Sequence, residues 1–297
     1  MTNSYLAFKA NNLNTEILVF YNMIKIAANG ISTSLVTKYR AKGTSTDLDY
    51  IAIEEPLEIS ISKSSLYPKS KHNISVTMRT PGEDLNLAVG FLLTEGILSH
   101  KNQILTHAAT DNKINIEVHP DTPLDMNKLQ RHFYTTSSCG VCGKASIEAI
   151  KTIEEYTPTN YHMSINNTII YSLPTKLREQ QKVFIKTGGL HAAALFDSEG
   201  NILESAEDVG RHNALDKLIG FYFLKGQLPL DDKILLLSGR ISFELVQKSV
   251  MAGIQCIVAV GAPSSLAIEL AEEYDITLIG FASKERFNLY NGKHKIN

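Results

Sequence analysis

Cys139-Gly-Val-Cys142 is the segment of this sequence best suited to chemistry on sulfur. It closes a polar, unperiodic run, Tyr134-Thr-Thr-Ser-Ser-Cys139, that reads as an exposed loop, and a helix is expected from Lys144 to about Tyr156. A cysteine at the start of a helix faces backbone N–H groups and the positive end of the helix dipole. Both favour the thiolate, the form that attacks sulfur. Lys144 adds a nearby positive charge. Sulfur carriage needs a nucleophilic cysteine that can also move between donor and acceptor, and a loop rich in Ser, Thr and Gly offers that freedom. On the motif alone a thiol–disulfide couple is an equal alternative, although the βαβ order of a thioredoxin-like fold is not found around it. A structural zinc site needs a second ligand pair. The third cysteine, Cys256, falls inside an apolar strand pattern, so it reads as a core residue and no metal is expected.

Other segments could form a ligand site. Lys186-Thr-Gly-Gly-Leu-His-Ala-Ala193 pairs glycines, which permit close backbone approach, with His191; a histidine merely capping a strand is the plain alternative. Glu207-Asp-Val-Gly-Arg-His-Asn213 precedes a helix that Asp208 or Asn213 is placed to cap, with Arg211 and His212 set to meet an anion at its N-terminus. Ser238-Gly-Arg-Ile-Ser242, which holds Arg240, and Gly261-Ala-Pro-Ser-Ser265 each join a strand end to a helix start. Such turns cradle phosphates, though ordinary capping by Ser242 and Ser264 explains them as well. Phe281-Ala-Ser-Lys-Glu-Arg286 carries an aromatic ring and two cations, enough to hold a purine and its phosphates unless it is only a charged surface turn.

These segments need a scaffold. Strands are expected over 48–63 and Asn73–Arg79, a helix after Thr80-Pro-Gly-Glu-Asp84 that Gly96 stops, and short strands between Ile104 and His119. A helix over Leu173–Gln181 is followed by a hairpin, Ala193–Asp197 and Ile202–Ala206. Next come a helix near Asn213–Lys225, strand Lys233–Leu237, helix Phe243–Ala252, strand Cys256–Val260, helix Ser264–Tyr274 and a final strand, Thr277–Phe281. Strand–helix alternation with short loops predicts a parallel sheet, whose ligands sit outside the carboxyl ends of its strands. The expected organisation is a variable N-terminal extension over 1–45, an α+β region over 46–133, a mobile Cys-x-x-Cys loop over 134–145 and an α/β cofactor-binding domain over 146–297.

Apolar residues make up 43% and charged residues 20% of the chain, an ordinary balance for a protein with a core. A formal charge of −2 provides no global field for nucleic acid or an anionic membrane, so neither is expected as a partner. Three cysteines do not make a secreted disulfide scaffold, no signal peptide is recognisable, and no apolar run reaches the ~20 residues that span a bilayer. A cytoplasmic location is expected.

In order along the chain, Glu55-Pro-Leu-Glu-Ile59, Met78-Arg-Thr-Pro-Gly-Glu-Asp-Leu85, Gly90-Phe-Leu-Leu-Thr-Glu-Gly96, Cys139-Gly-Val-Cys142 and Thr187-Gly-Gly-Leu-His-Ala192 continue into the segments above. Glu207–Lys217, Leu237–Leu245, Gly261–Ser265 and Gly280–Arg286 complete the set. Together they resemble the formate dehydrogenase accessory sulfurtransferases, the FdhD family. The resemblance implies a cytidine-deaminase-like α/β core beside a smaller α+β N-terminal region. It implies that sulfur passes from a cysteine desulfurase to the molybdenum cofactor, Mo-bis(molybdopterin guanine dinucleotide), and that formate dehydrogenase then becomes active. It places the persulfide on Cys139 with Cys142 assisting, and the cofactor against Phe281, Ala282, Ser283, Lys284, Glu285 and Arg286. His191, Arg211, His212 and Arg240 would complete the pocket, and a homodimer is expected. His191-Ala-Ala193 lies where a deaminase would carry His-x-Glu, so deamination is not expected. The alternatives are a thiol–disulfide oxidoreductase and a non-catalytic cofactor-binding chaperone.

Overall fold

A computed structural model describes residues 30–64, 71–124 and 164–297. Cys139, Cys142 and the helix expected from Lys144 lie outside the described residues. Strands β1 (Ile31–Arg40) and β2 (Gly43–Ala52) form a two-stranded antiparallel ribbon. Strands β3 (Glu55–Lys63), β4 (Lys71–Arg79), β5 (Ile104–Thr110) and β6 (Lys113–Val118) form a second sheet in the order β4-β3-β6-β5. Alternation decides its faces: Leu57, Ile59 and Ile61 of β3 and Ile114, Ile116 and Val118 of β6 are at most 1% exposed.

Helix α1 (Asp84–Thr94) follows β4, and Gly96 ends it in a left-handed conformation with its N–H donating to the Leu93 carbonyl. Helices α2 (Asn167–Gln180) and α3 (Lys182–Thr187) precede the largest sheet. Its strands are β7 (His191–Phe196), β8 (Ile202–Asp208), β9 (Ile234–Leu237), β10 (Cys256–Ala259), β11 (Thr277–Gly280) and β12 (Asn288–Asn291), ordered β12-β11-β10-β9-β7-β8. Between them run α4 (Arg211–Lys225), α5 (Phe243–Met251) and α6 (Ser265–Glu273). The expected parallel strands are β9, β10 and β11, and β7–β8 is the expected hairpin, antiparallel to both neighbours.

This sheet is covered on both faces, which is why its central strands read as unbroken apolar runs. Leu235, Leu237, Ile257 and Leu278 face a core shared with α1, α4, α5, α6 and the four-stranded sheet. Ile234, Leu236, Cys256, Val258 and Ile279 face a second core under α2. Burial pushes the Cys256 thiol up to about 12, so it is an inert packing residue.

Within the expected N-terminal extension, residues 31–40 pair with β2. Two expectations change. Thr277–Gly280 is not the final strand, because β12 returns beside it. Helix α2 begins at Asn167, where the Asn166 side chain caps it by accepting the Thr168 N–H, and it carries Pro174 inside. No helix among the described residues is long and apolar enough to cross a membrane.

Helices α1 and α4 cross without side chains between them. A Cβ on Gly90 would lie 1.9 Å from the Asp216 carbonyl oxygen, and one on Gly220 1.9 Å from that of Asn86. Only glycine permits that approach. Around the crossing, Lys248 of α5 donates to Asp216 at 2.9 and 3.0 Å and to the Thr94 hydroxyl at 2.8 Å, closing a buried ionic knot.

Candidate functional site

All the singled-out segments of the C-terminal half meet at one sheet edge. Ser238, Val260 and Phe281 follow β9, β10 and β11, while His191 opens the antiparallel β7 directly opposite Asp208 at the end of β8. Backbone bonds lace the turns together: Gly261 N–H donates to the Gly239 carbonyl at 3.0 Å, and Phe281 N–H to that of Gly261 at 3.1 Å. A Cβ on Gly261 would stand 2.8 Å from the Arg240 nitrogen, so this turn closes only on glycine.

The Phe281–Arg286 turn is held by its own serine. The Ser283 hydroxyl accepts the Arg286 N–H at 3.1 Å and donates to the Arg286 carbonyl at 3.0 Å. Ala282 is buried in the second core and so faces away from solvent. Phe281, Lys284, Glu285 and Arg286 are exposed, and the two cations make no ion pair among the described residues. The turn therefore offers a ring, two cations and one carboxylate to solvent.

Glu207–Lys217 divides into a fastening and a site. Asp208 caps nothing; its carboxylate accepts the Gly210 N–H at 2.8 Å, Asn213 Nδ2 at 3.0 Å and Thr80 N–H at 3.1 Å, and pairs with Lys217 at 2.8 Å. Asn213 donates to the Met78 carbonyl at 2.7 Å and accepts from Thr77. Neither side chain caps α4, whose N-cap is Gly210. They bolt α4 to β4 and the start of α1. Glu207 instead accepts the Val183 and Phe184 N–H groups at 3.0 and 2.9 Å, fixing the first turn of α3.

Arg211 and His212 remain near the edge. The Arg211 Nε is buried with no hydrogen-bond partner among the described residues. Burial, followed by the charges of Lys248 and Arg211, brings the His212 imidazole down to about 4, and its Nε2 lies 3.4 Å from the Ser242 hydroxyl. Burial and then Arg211 lower His191 as well, against the pull of Asp208. Both rings are neutral at neutral pH, so they give hydrogen bonds, not charge. Arg211, Arg240, Lys284 and Arg286 supply the positive potential. Such an edge can hold an anionic ligand through arginines, lysine and turn N–H groups. Arg178, Gln181 and Phe184 also reach it, where the sequence predicts only a helix over Leu173–Gln181.

A family model described as the FdhD/NarQ family matches residues 52–297, which takes in every one of these turns. The chain belongs to the FdhD/NarQ family. Among its FdhD/NarQ relatives, a protein of Streptomyces avermitilis named Sulfur carrier protein FdhD is 44% identical over 272 residues, covering 88% of this chain and 94% of its own. One of the same name from Picrophilus torridus is 44% identical over 248 residues, covering 84% and 92%. The crystal structure of a formate dehydrogenase accessory protein from Desulfotalea psychrophila superposes with a TM-score of 0.70 over 90% of this chain and 99% of that one. At 22% identity that likeness speaks for the shared mixed α/β fold.

Proposed function

We propose that this FdhD/NarQ chain is a sulfurtransferase that carries sulfane sulfur on Cys139 from a cysteine desulfurase to the molybdenum of Mo-bis(molybdopterin guanine dinucleotide), making formate dehydrogenase competent. The observation that carries the reading is the convergence of His191, Arg211, Arg240 and the Phe281–Arg286 turn on one sheet edge. It is a site for a large anionic dinucleotide in a family whose members are named sulfur carriers.

In the first step the Cys139 thiolate attacks the outer sulfur of the desulfurase persulfide. A new S–S bond forms on Cys139, the donor's S–S bond breaks, and the desulfurase leaves as a thiolate with no net redox change. In the second, Cys142 attacks Sγ of Cys139. The outer sulfur departs as hydrosulfide to the metal, and the pair is left as a disulfide for a cellular dithiol to reduce. The edge residues hold the substrate: Arg211, Arg240, Lys284 and Arg286 meet its phosphates, Phe281 offers a stacking face, and His191 and His212 donate or accept as neutral rings. A homodimer, a cytoplasmic location and a cytidine-deaminase-like character of the six-stranded layer belong to the same reading. The antiparallel β8-β7-β9 and parallel β9-β10-β11 arrangement supports the last of these.

The test is Cys139→Ala in cells that depend on this protein for formate dehydrogenase. Near-total loss of that activity is expected, with mass spectrometry of the wild type showing one added sulfur on Cys139 after incubation with a desulfurase and cysteine. Retained activity would point to a chaperone that only binds the cofactor. A Cys139–Cys142 disulfide without any persulfide would point to a redox enzyme.

A further inference from the structure

Strands β1 and β2 form a sheet of their own, paired with no other strand among the described residues. A two-stranded ribbon alone in water is marginally stable, because it has no apolar face packed on anything. This one is built with such a face. On one side stand the cross-strand pairs Thr33–Tyr50, Leu35–Leu48, Thr37–Thr46 and Tyr39–Thr44, with no charge among them. On the other stand Lys38, Arg40, Asp47 and Asp49, joined as Lys38–Asp49 at 3.5 Å and Arg40–Asp47 at 3.9 Å. Alternation that puts every charge of two strands on one side is the pattern of a sheet whose other side is packed. Yet that other side is open: Leu35 is 69%, Leu48 56%, Tyr39 84% and Tyr50 48% exposed.

The occupant has to match a flat, uncharged surface of Thr, Leu and Tyr. A charged partner surface would lose its water there and gain no opposite charge in return. The same face of a second copy has no such mismatch, and a twofold axis sets apolar pair against apolar pair. Size agrees. The four large side chains present on the order of 500 Å² to solvent, so two copies together would remove about 1,000 Å², where specific interfaces begin. Face-to-face packing leaves both charged sides in water, so the contact buries no ion pair. The ribbon is also anchored: Ile31 is buried at its root, and a Cβ on Gly189 would stand 3.4 Å from that of Ala52. The family match begins at residue 52, so the face lies outside it.

We infer that this face is a self-association surface, on which a second copy of the chain docks its own ribbon about a twofold axis. The inference names the contact for the homodimer of the function proposed above and rests on that homodimer. The two ribbons stack face to face at about 10 Å, the spacing of packed sheets. Leu35 and Leu48 lie near the centre of the contact, Tyr39 toward the tip and Tyr50 toward the root.

Sedimentation equilibrium of the full chain over a range of concentrations tests this. The wild type is expected to form a dimer at micromolar concentration. Leu35→Glu enters the contact twice, once from each copy, and should raise the dissociation constant about a hundredfold or more. Ser34→Lys places a charge on the neighbouring residue but on the opposite side of the ribbon, and should leave the constant unchanged. Tyr39→Thr keeps a β-branched residue in the strand, and should weaken the dimer about tenfold if the glutamate variant does not fold. A dimer that survives Leu35→Glu and Tyr39→Thr undiminished overturns the ribbon assignment and leaves the homodimer standing. A wild type that stays monomeric overturns both. In such a monomer, a lower melting temperature for Leu35→Glu would mean that the face is covered from within the chain. Loss of formate dehydrogenase maturation at an unchanged melting temperature would mean that a client protein covers it.

Discussion

Replacing Lys248 with methionine removes the cation from the ionic knot but keeps most of its volume. Lys248 is 6% and Asp216 1% exposed, with contacts at 2.9 and 3.0 Å, so the variant leaves a carboxyl group in the core with the Thr94 hydroxyl, which donates at 2.9 Å, as its remaining close partner. Breaking a buried pair from one side costs about 3–5 kcal/mol, a large share of the ~5–15 kcal/mol that holds a typical protein folded. Acidity sets when that cost appears. Burial already pushes Asp216 up to about 6, against the downward pull of Lys248, and losing the amine raises it further. The folded state then binds a proton that the unfolded state releases near its ordinary value, so the penalty is full above the folded pKa and fades as the carboxyl is neutralised below it. Urea unfolding midpoints at about pH 8 and about pH 5 should show the full deficit at the higher value and a clearly smaller one at the lower. The double variant Lys248→Met/Asp216→Leu should recover much of the loss at the higher pH. Equal deficits at both pH values, or a double variant no better than the single, would refute an isolated buried carboxylate as the cause.

Gly220→Ala puts a methyl carbon where the Asn86 carbonyl oxygen leaves 1.9 Å. It should cost about 3 kcal/mol or more, read as a lower melting temperature, because neither backbone can yield; an unchanged melting temperature would mean the helices do not touch. His212, held at about 4, should show no protonation in an NMR titration until well below its ordinary range. An unfolded chain takes up that proton earlier, so stability falls as pH drops below ~6.5, and His212→Gln should flatten that slope.

Strands β9, β10 and β11 were legible because apolar runs bounded by Gly and Ser turns have few other solutions. The ribbon was legible only in part: residues 48–52 of β2 fell within the strand expected over 48–63, and β1 was not marked. Ile31 is buried, but Leu35 is 69% and Tyr39 84% exposed, so no regular burial pattern marks β1. Strand β12 is a four-residue edge, Asn288–Asn291, too short to show a period. Within the site, Phe281–Arg286 and His191 could be placed by type and position. Residue types could not say that Asp208, Asn213 and Lys217 turn toward β4 while Arg211 and His212 stay at the edge, since that depends on the crossing of α4 over α1.

Two bare backbones in contact leave nothing compressible between them. A tilt of α1 must be followed by α4, and the Arg211–His212 turn begins α4. The direction in which those two residues look is therefore inherited from the four-stranded sheet through α1, with the Asp208 fastening locking the same end. A protein that grips the outer sheet would hold a stiff handle on the ligand edge, and the geometry there would be passed on undamped.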